Sequence, residues 1–249
     1  MELFKQREIF VISPHIDDAF LSMGGLIHTL LDEGNTINII NIFSKTNFSV
    51  KHDNHNIIRI RKAEEMENIN LIKKESNNQN CFIEFWDMPD ALIRGHKVEG
   101  IFDYPKYSTF KKEDNIINKL EFKFSELIKS NLNSVFFIPL GIGNHIDHII
   151  VRDTFNDVFS HIENQSDLIG YEEQPYSFLR TNYITVPVER EIIIPINMDI
   201  KKKLVKNYSS QILYVDDFLT SLEKYCNSLS SIPSERFIHI KFSNVLSNG

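Results

Sequence analysis

Two short stretches concentrate the imidazoles and carboxylates of this 249-residue chain. The first reads Ser13-Pro14-His15-Ile16-Asp17-Asp18 and the second Asn144-His145-Ile146-Asp147-His148. Together they offer three histidines and three aspartates. Imidazole nitrogen mixed with carboxylate oxygen is a donor set that zinc and similar borderline divalent ions take. Each stretch alone has a plainer reading. Asp17 or Asp18 would cap a helix that starts there, and Asn144 or Asp147 would cap one that starts beside it. Taken jointly they argue for a cation, because so many titratable groups at a buried sheet edge would repel or desolvate one another without one.

Such groups must be brought together by the elements around them. The first stretch follows 8–13 (EIFVIS), an apolar segment that reads as a buried strand, and the second follows 134–140 (SVFFIPL), which reads as another. Further strands are expected over 36–43, 81–86 and 167–172, with 183–188 and 190–194 as a candidate pair. Apolar residues at helical spacing mark 19–33, 57–73, 112–129 and 148–158, and 199–207 and 218–228 are further helix candidates. Gly34 is placed as the stop of the first helix. Strand and helix alternate, which predicts an α/β class: a Rossmann-like three-layer fold with a mainly parallel central sheet, in one domain over 1–249. Ligands of such sheets gather at the carboxyl ends of the strands, so both stretches are expected at one edge. Gly24-Gly25, inside a helix, points to close packing against a neighbour. The long polar segments 44–56, 89–110 and 174–181 read as loops of the length that often carries function.

Composition excludes several functions. The net charge of −7, from 27 Lys+Arg against 34 Asp+Glu, disfavours nucleic acid and anionic lipid as partners. The longest basic run, Lys201-Lys202-Lys203, reads as the solvated face of an amphipathic helix. No apolar stretch reaches the roughly 18 residues of a membrane span, and the charged start is unlike a signal peptide. Two cysteines, Cys81 and Cys226, make neither a disulfide framework nor a metal pattern, which leaves a reducing cytoplasm as the simplest compartment. No G-x-S-x-G elbow, phosphate-binding loop or H-E-x-x-H helix occurs, and Gly141-Ile142-Gly143 lacks the third glycine of a dinucleotide fingerprint.

Pro14-His15-Ile16-Asp17-Asp18 with Gly24-Gly25, and Gly143-Asn144-His145-Ile146-Asp147-His148, resemble the two signature motifs of the PIG-L/LmbE-like zinc-dependent N-deacetylases. Arg61-Lys62-Ala63-Glu64-Glu65 is similar to that family's Arg-x-x-acid-acid helix. Tyr171-Glu172-Glu173-Gln174-Pro175-Tyr176 is similar to its Tyr-Glu-Asp-x-Pro-Tyr element, and Lys203 with Ser210-Gln211 to its late Lys and Ser-Gln segment. The resemblance spans about residues 8–212. Ile16 and Ala19 stand where many members carry proline and glutamate, and SPHIDDAFLS follows a subgroup form.

The resemblance implies an LmbE-like fold in which His15, Asp18 and His148 hold Zn2+, a ligand set that Fe2+ can also occupy. It implies Asp17 as general base, His145 as cation or donor to the oxyanion, and Asp147 as the group that orients a neighbouring imidazole. Arg61 and Asp90 would lie near sugar hydroxyl groups; their plainer readings are a helix-surface ion pair and a turn residue. The implied reaction removes an N-acetyl group from an N-acetylated amino sugar or glycoconjugate and gives acetate and a free amine. The partner is then a small molecule, with self-association into a homo-oligomer left open. Alternatives are a hydrolase of another amide or an ester, and a non-catalytic sugar-binding member of the fold. Trp86 and Tyr176 are candidates to stack on a sugar ring. His52, His55 and His96 read as solvated, and His28, inside the first helix, and His239, in a late strand, as structural.

Overall fold

The structure, a computed structural model, describes residues 2–5, 7–50, 56–97, 114–179 and 186–240. Its first strand, β1 (Glu8–Ser13), is buried on both faces: Ile9 and Val11 join one apolar cluster, Phe10 and Ile12 another. A strand of that kind needs helices on both sides. The chain supplies them by alternation, with α1 (Asp18–Asp32), β2 (Thr36–Asn41), α2 (Ile57–Glu75), β3 (Cys81–Phe85), α3 (Asp114–Lys129), β4 (Val135–Pro139), α4 (Ile146–His161) and β5 (Asp167–Tyr171). The short α5 (Tyr176–Leu179), β6 (Val188–Pro195), α6 (Met198–Lys206), α7 (Val215–Leu229) and β7 (Ser234–Ile240) follow. Side chains of α1, α2, α6 and α7 fill the core on one face of the sheet, and those of α3 and α4 fill it on the other.

The seven strands run in the order β3-β2-β1-β4-β5-β7-β6, the first five of these parallel and β7 antiparallel to both of its neighbours, β5 and β6. The chain winds from β1 out to β3, then returns across the sheet to β4, which pairs with β1 in the register Ile9↔Val135 and Val11↔Phe137. That reversal is a topological switch point, where a crevice opens beyond the carboxyl ends of two neighbouring strands. The two His/Asp stretches follow those two strand ends.

Three expectations need correction. β6 pairs with β7, and Val188, placed at the end of the first candidate strand, opens β6 itself; residues 183–185 lie outside the described residues. The segment 174–181 is not loop throughout, since it contains α5. Lys201 is not on a solvated face: it is 0 % exposed and its Nζ meets the carboxylate of Glu235 from β7. Glu235 has a second task. At Met23 (φ −130°, ψ 22°) α1 breaks, and the amides of Gly25 and Leu26 donate to the Glu235 carboxylate at 3.1 and 2.8 Å. A buried anion so placed needs a cation, and Lys201 supplies it. A Cβ on Gly25 would lie 2.6 Å from Ile196 Cβ, so the bare Gly24-Gly25 pair does let α1 approach the β6–α6 connection.

Candidate active site

Ser13 closes β1 and shapes the turn that follows. Its Oγ donates to the carbonyl of His15 (2.7 Å) and accepts the amide of Ala19 (3.2 Å). Asp18 Oδ2 accepts the amide of His15 at 2.8 Å. Asp17 occupies the cap position of α1 but makes no capping hydrogen bond, so the capping role does not fall to it. Its φ of 124° lies where side-chain-bearing residues are rarely found. Backbone held this way costs on the order of 1–3 kcal/mol and is typically retained at functional sites. After β4, the left-handed Gly143 (φ 90°) and Asn144 (φ 57°) turn the chain into α4. The cap of α4 is neither Asn144 nor Asp147: His145 Nδ1 accepts the amide of Asp147 at 3.1 Å.

The two turns meet. His15 Nδ1, Asp18 Oδ2 and His148 Nε2 form a triangle, 3.2 Å along every edge. A tetrahedral ion with ligand bonds of about 2.0–2.1 Å requires donor–donor edges of about 3.3–3.4 Å. Three potential ligand atoms converging this closely fit a shared cation. His145 is adjacent, and one donor atom each from His15, His145 and His148 lie within 4.8 Å of one another. The carboxylate and the third imidazole thus offer alternative third donors; the 3.2 Å edges favour Asp18.

Each imidazole of the triangle is aimed by a carboxylate behind it. His15 Nε2 lies 2.9 Å from Asp147 Oδ2, which leaves Nδ1 for the triangle. Asp147 is itself fixed by the amide of Ala91 (3.0 Å) and the guanidinium of Arg94 (2.8 Å). His148 Nδ1 lies 3.1 Å from Glu173 Oε1, which leaves Nε2. Glu173 also accepts the amides of Leu140, Gly141 and Ile142 at the end of β4. Carboxylates in this position fix the tautomer and ring orientation of metal-binding histidines. Neither Glu173 nor Arg94 was expected as a site residue; the Tyr171–Tyr176 element was the one signal for Glu173.

These contacts set the protonation of the groups. Burial pulls His15 down, but hydrogen bonds to Asp147 and Asp18 outweigh it and carry its pKa up to about 9. For His148, burial is likewise outweighed, by the charge of Asp18 and hydrogen bonds to Asp18 and Glu173, and its pKa rises to about 10. Burial pushes Asp18 up, yet the two imidazoles hold it well below the usual carboxylate range. Asp147 is lowered in the same way, against burial, by Arg94 and His15. His145 falls well below the ordinary histidine value, through burial and the charge of His15. Because its Nδ1 accepts a backbone amide, the neutral ring carries its proton on Nε2. It is therefore a donor and not a cation. Burial lifts Asp17 to about 6, against the pull of Arg61, whose guanidinium lies 3.1 Å away.

Arg61 is buried and also donates to the carbonyl of Ile16, so it is no surface ion pair. From the same helix, Glu64 accepts the amide (2.8 Å) and hydroxyl (2.6 Å) of Ser210, pinning the segment that carries Gln211 and Ile212. Asp90 does serve its turn, accepting the amide of Ile93 at 2.9 Å, and it also faces the site. A cavity of about 570 Å³ joins His15, Asp17, Asp18, Arg61, Asp90, His145, Asp147 and Tyr176 to the surface. Trp86 lies elsewhere, against Phe124 and Lys123. His239 pairs with Asp167 and Glu189. His96 does not line the cavity, and His52 and His55 lie outside the described residues.

Comparison with known proteins agrees with this architecture. Residues 10–159 match the family PIG-L, described as GlcNAc-PI de-N-acetylase. No curated protein sequence matches the chain. Among solved structures, the zinc-inhibited form of a teicoplanin deacetylase superposes with a TM-score of 0.77 at 15% identity, covering 96% of this chain and 99% of that one. The N,N'-diacetylchitobiose deacetylase of Pyrococcus horikoshii gives 0.62 at 18% identity, with 95% and 85% covered. A 4-carboxy-2-hydroxymuconate hydratase of Pseudomonas putida gives 0.63 at 12% identity, with 98% and 99% covered. At these identities the likeness is one of fold, and the fold hosts more than one reaction. Among the described residues, no helix is long and apolar enough to cross a membrane.

Proposed function

The chain belongs to the family PIG-L, GlcNAc-PI de-N-acetylase, and from that premise we propose that it is a metal-dependent N-deacetylase acting on an N-acetylated amino sugar or glycoconjugate. The observation that carries this reading is the 3.2 Å donor triangle of His15, Asp18 and His148 with a further carboxylate, Asp17, beside it. Two of the fold neighbours are deacetylases, which supports the reaction class. The hydratase neighbour shows why the fold alone does not carry it.

His15, Asp18 and His148 would hold Zn2+, or Fe2+ in its place. When bound, such an ion supplies Lewis acidity toward water and toward an acetamide carbonyl. The protein's own groups do the rest. Asp17, buried with its pKa lifted to about 6, takes a proton from water and returns it to the departing amine. Arg61 holds that carboxylate in place and, by its charge, keeps it ionisable. His145 donates a hydrogen bond from Nε2–H to the oxyanion that forms on the former carbonyl. Asp147 touches no reacting atom; it positions His15. Arg61, Asp90 and Gln174 line the cavity and are the polar residues assigned to the sugar hydroxyls.

Acetate release from N-acetylglucosamine glycosides, compared with hydrolysis of simple aryl acetates, tests the reading. Acetate and free amine in equal amounts from the amide are expected. Turnover of the esters alone would instead favour an esterase on the same scaffold.

Metal uptake is expected to expel protons. With pKa values of about 9 and 10, His15 and His148 are both protonated at pH 7 without a cation. Coordination needs Nδ1 and Nε2 bare, so the apparent affinity should rise up to about 100-fold per pH unit below about pH 9. Calorimetric titration of chelator-treated protein in buffers of different ionisation enthalpy should return about two protons released per ion. A value near zero would mean that these imidazoles are neutral before the ion arrives.

A further inference from the structure

The cavity changes character between floor and mouth. Its floor is polar, but toward the surface it is walled by Phe178 and Leu179 of α5, by Leu213 and Tyr214, and by Phe218 of α7. Phe178 and Phe218 meet edge to face at 5.4 Å, which joins the two elements into one wall. At the rim Leu179, Leu213 and Tyr214 are 67 %, 50 % and 69 % exposed. Apolar side chains gathered at a cavity mouth are a mark of a binding surface. The wall's charge is also informative. Among the described lining residues, Arg61 is the one lysine or arginine, and it is committed to Asp17 and Ile16, whereas Asp90 and Asp217 are acidic.

We propose that the substrate is an N-acetylamino sugar linked to an uncharged, apolar alkyl or aryl group, which lies along the α5–α7 wall while the acetamide reaches the floor. This rests on the deacetylase reading and adds the class of aglycone. A phosphate-bearing aglycone would meet Asp90 and Asp217 with no spare cation among the described lining residues. An alkyl or aryl aglycone would instead cover apolar surface that is now in water.

The test compares methyl and hexyl glycosides of N-acetylglucosamine with N-acetylglucosamine 1-phosphate, by acetate release from the metal-loaded protein. Each methylene that the wall withdraws from water is worth about fourfold in binding, so burial of three should raise kcat/KM of the hexyl over the methyl glycoside about 50-fold. The 1-phosphate should be poorer than the methyl glycoside. The double substitution Leu179→Ser and Leu213→Ser, at exposed positions, should cut the hexyl-to-methyl ratio at least about fivefold. A ratio near one, a ratio unmoved by the double substitution, or the 1-phosphate as best substrate would each overturn the proposal while leaving the deacetylase reading intact. No acetate from any of the three would overturn that reading, and the proposal with it.

Discussion

Asp17→Asn is expected to lower kcat/KM for acetate release by about 10²–10⁴-fold and to leave metal content unchanged. The substitution keeps the size of the side chain and an oxygen for Arg61, and removes the ability to accept and return a proton. Asparagine tolerates positive φ better than most residues, so the strained turn at 124° can persist. The start of α1 loses nothing, because Asp17 makes no capping hydrogen bond. Metal analysis beside the kinetics separates base from ligand. Loss of metal together with activity would make Asp17 a ligand, and retained activity would remove it from the mechanism.

The second large effect separates the two ways of choosing a third donor. With His15, Asp18 and His148 as ligands, His148→Ala and Asp18→Ala should both abolish stoichiometric metal binding. His145→Ala should keep the metal and lose about 10²–10³-fold in rate, the usual consequence of removing an oxyanion donor. If the three histidines were the ligands instead, Asp18→Ala would keep the metal and His145→Ala would lose it. Glu173→Gln tests the group behind His148: metal affinity should fall about 10–100-fold. Thermal unfolding of that variant must be followed in parallel, since Glu173 also collects the amides of Leu140, Gly141 and Ile142.

How far the sequence leads depends on the distance over which a feature is encoded. The parallel half of the sheet follows from local periodicity, and β1 through β5 lie where their apolar runs indicate, within a residue or two at the ends. The convergence of the two His/Asp stretches follows from the same pattern, because a doubly wound sheet brings the carboxyl ends of β1 and β4 together. β7 was not legible as a partner for β6. Its sequence, SERFIHI, places charged residues among apolar ones, and its pairing with β6 spans some forty residues of chain. Lys201 was misread for a related reason. A lysine run on an amphipathic helix ordinarily faces water, and the carboxylate that draws Lys201 inward lies 34 residues away on β7. Of the groups that aim the imidazoles, Asp147 was expected in that role and Glu173 was not. Asp147 and Glu173 act on His15 and His148 across 132 and 25 residues. The apolar wall of the cavity is assembled from α5, the 213–214 turn and α7, none of which carries a motif.

The proposed chemistry requires one divalent ion held by His15, Asp18 and His148. Its most direct test is a titration of chelator-treated protein with Zn2+, and separately with Fe2+, following bound metal and acetate release in the same samples. Saturation at one ion per chain is expected, with activity returning in proportion to that ion. Acetate release that survives full metal removal, or one ion bound equally well after Asp18→Ala and His148→Ala, would contradict it.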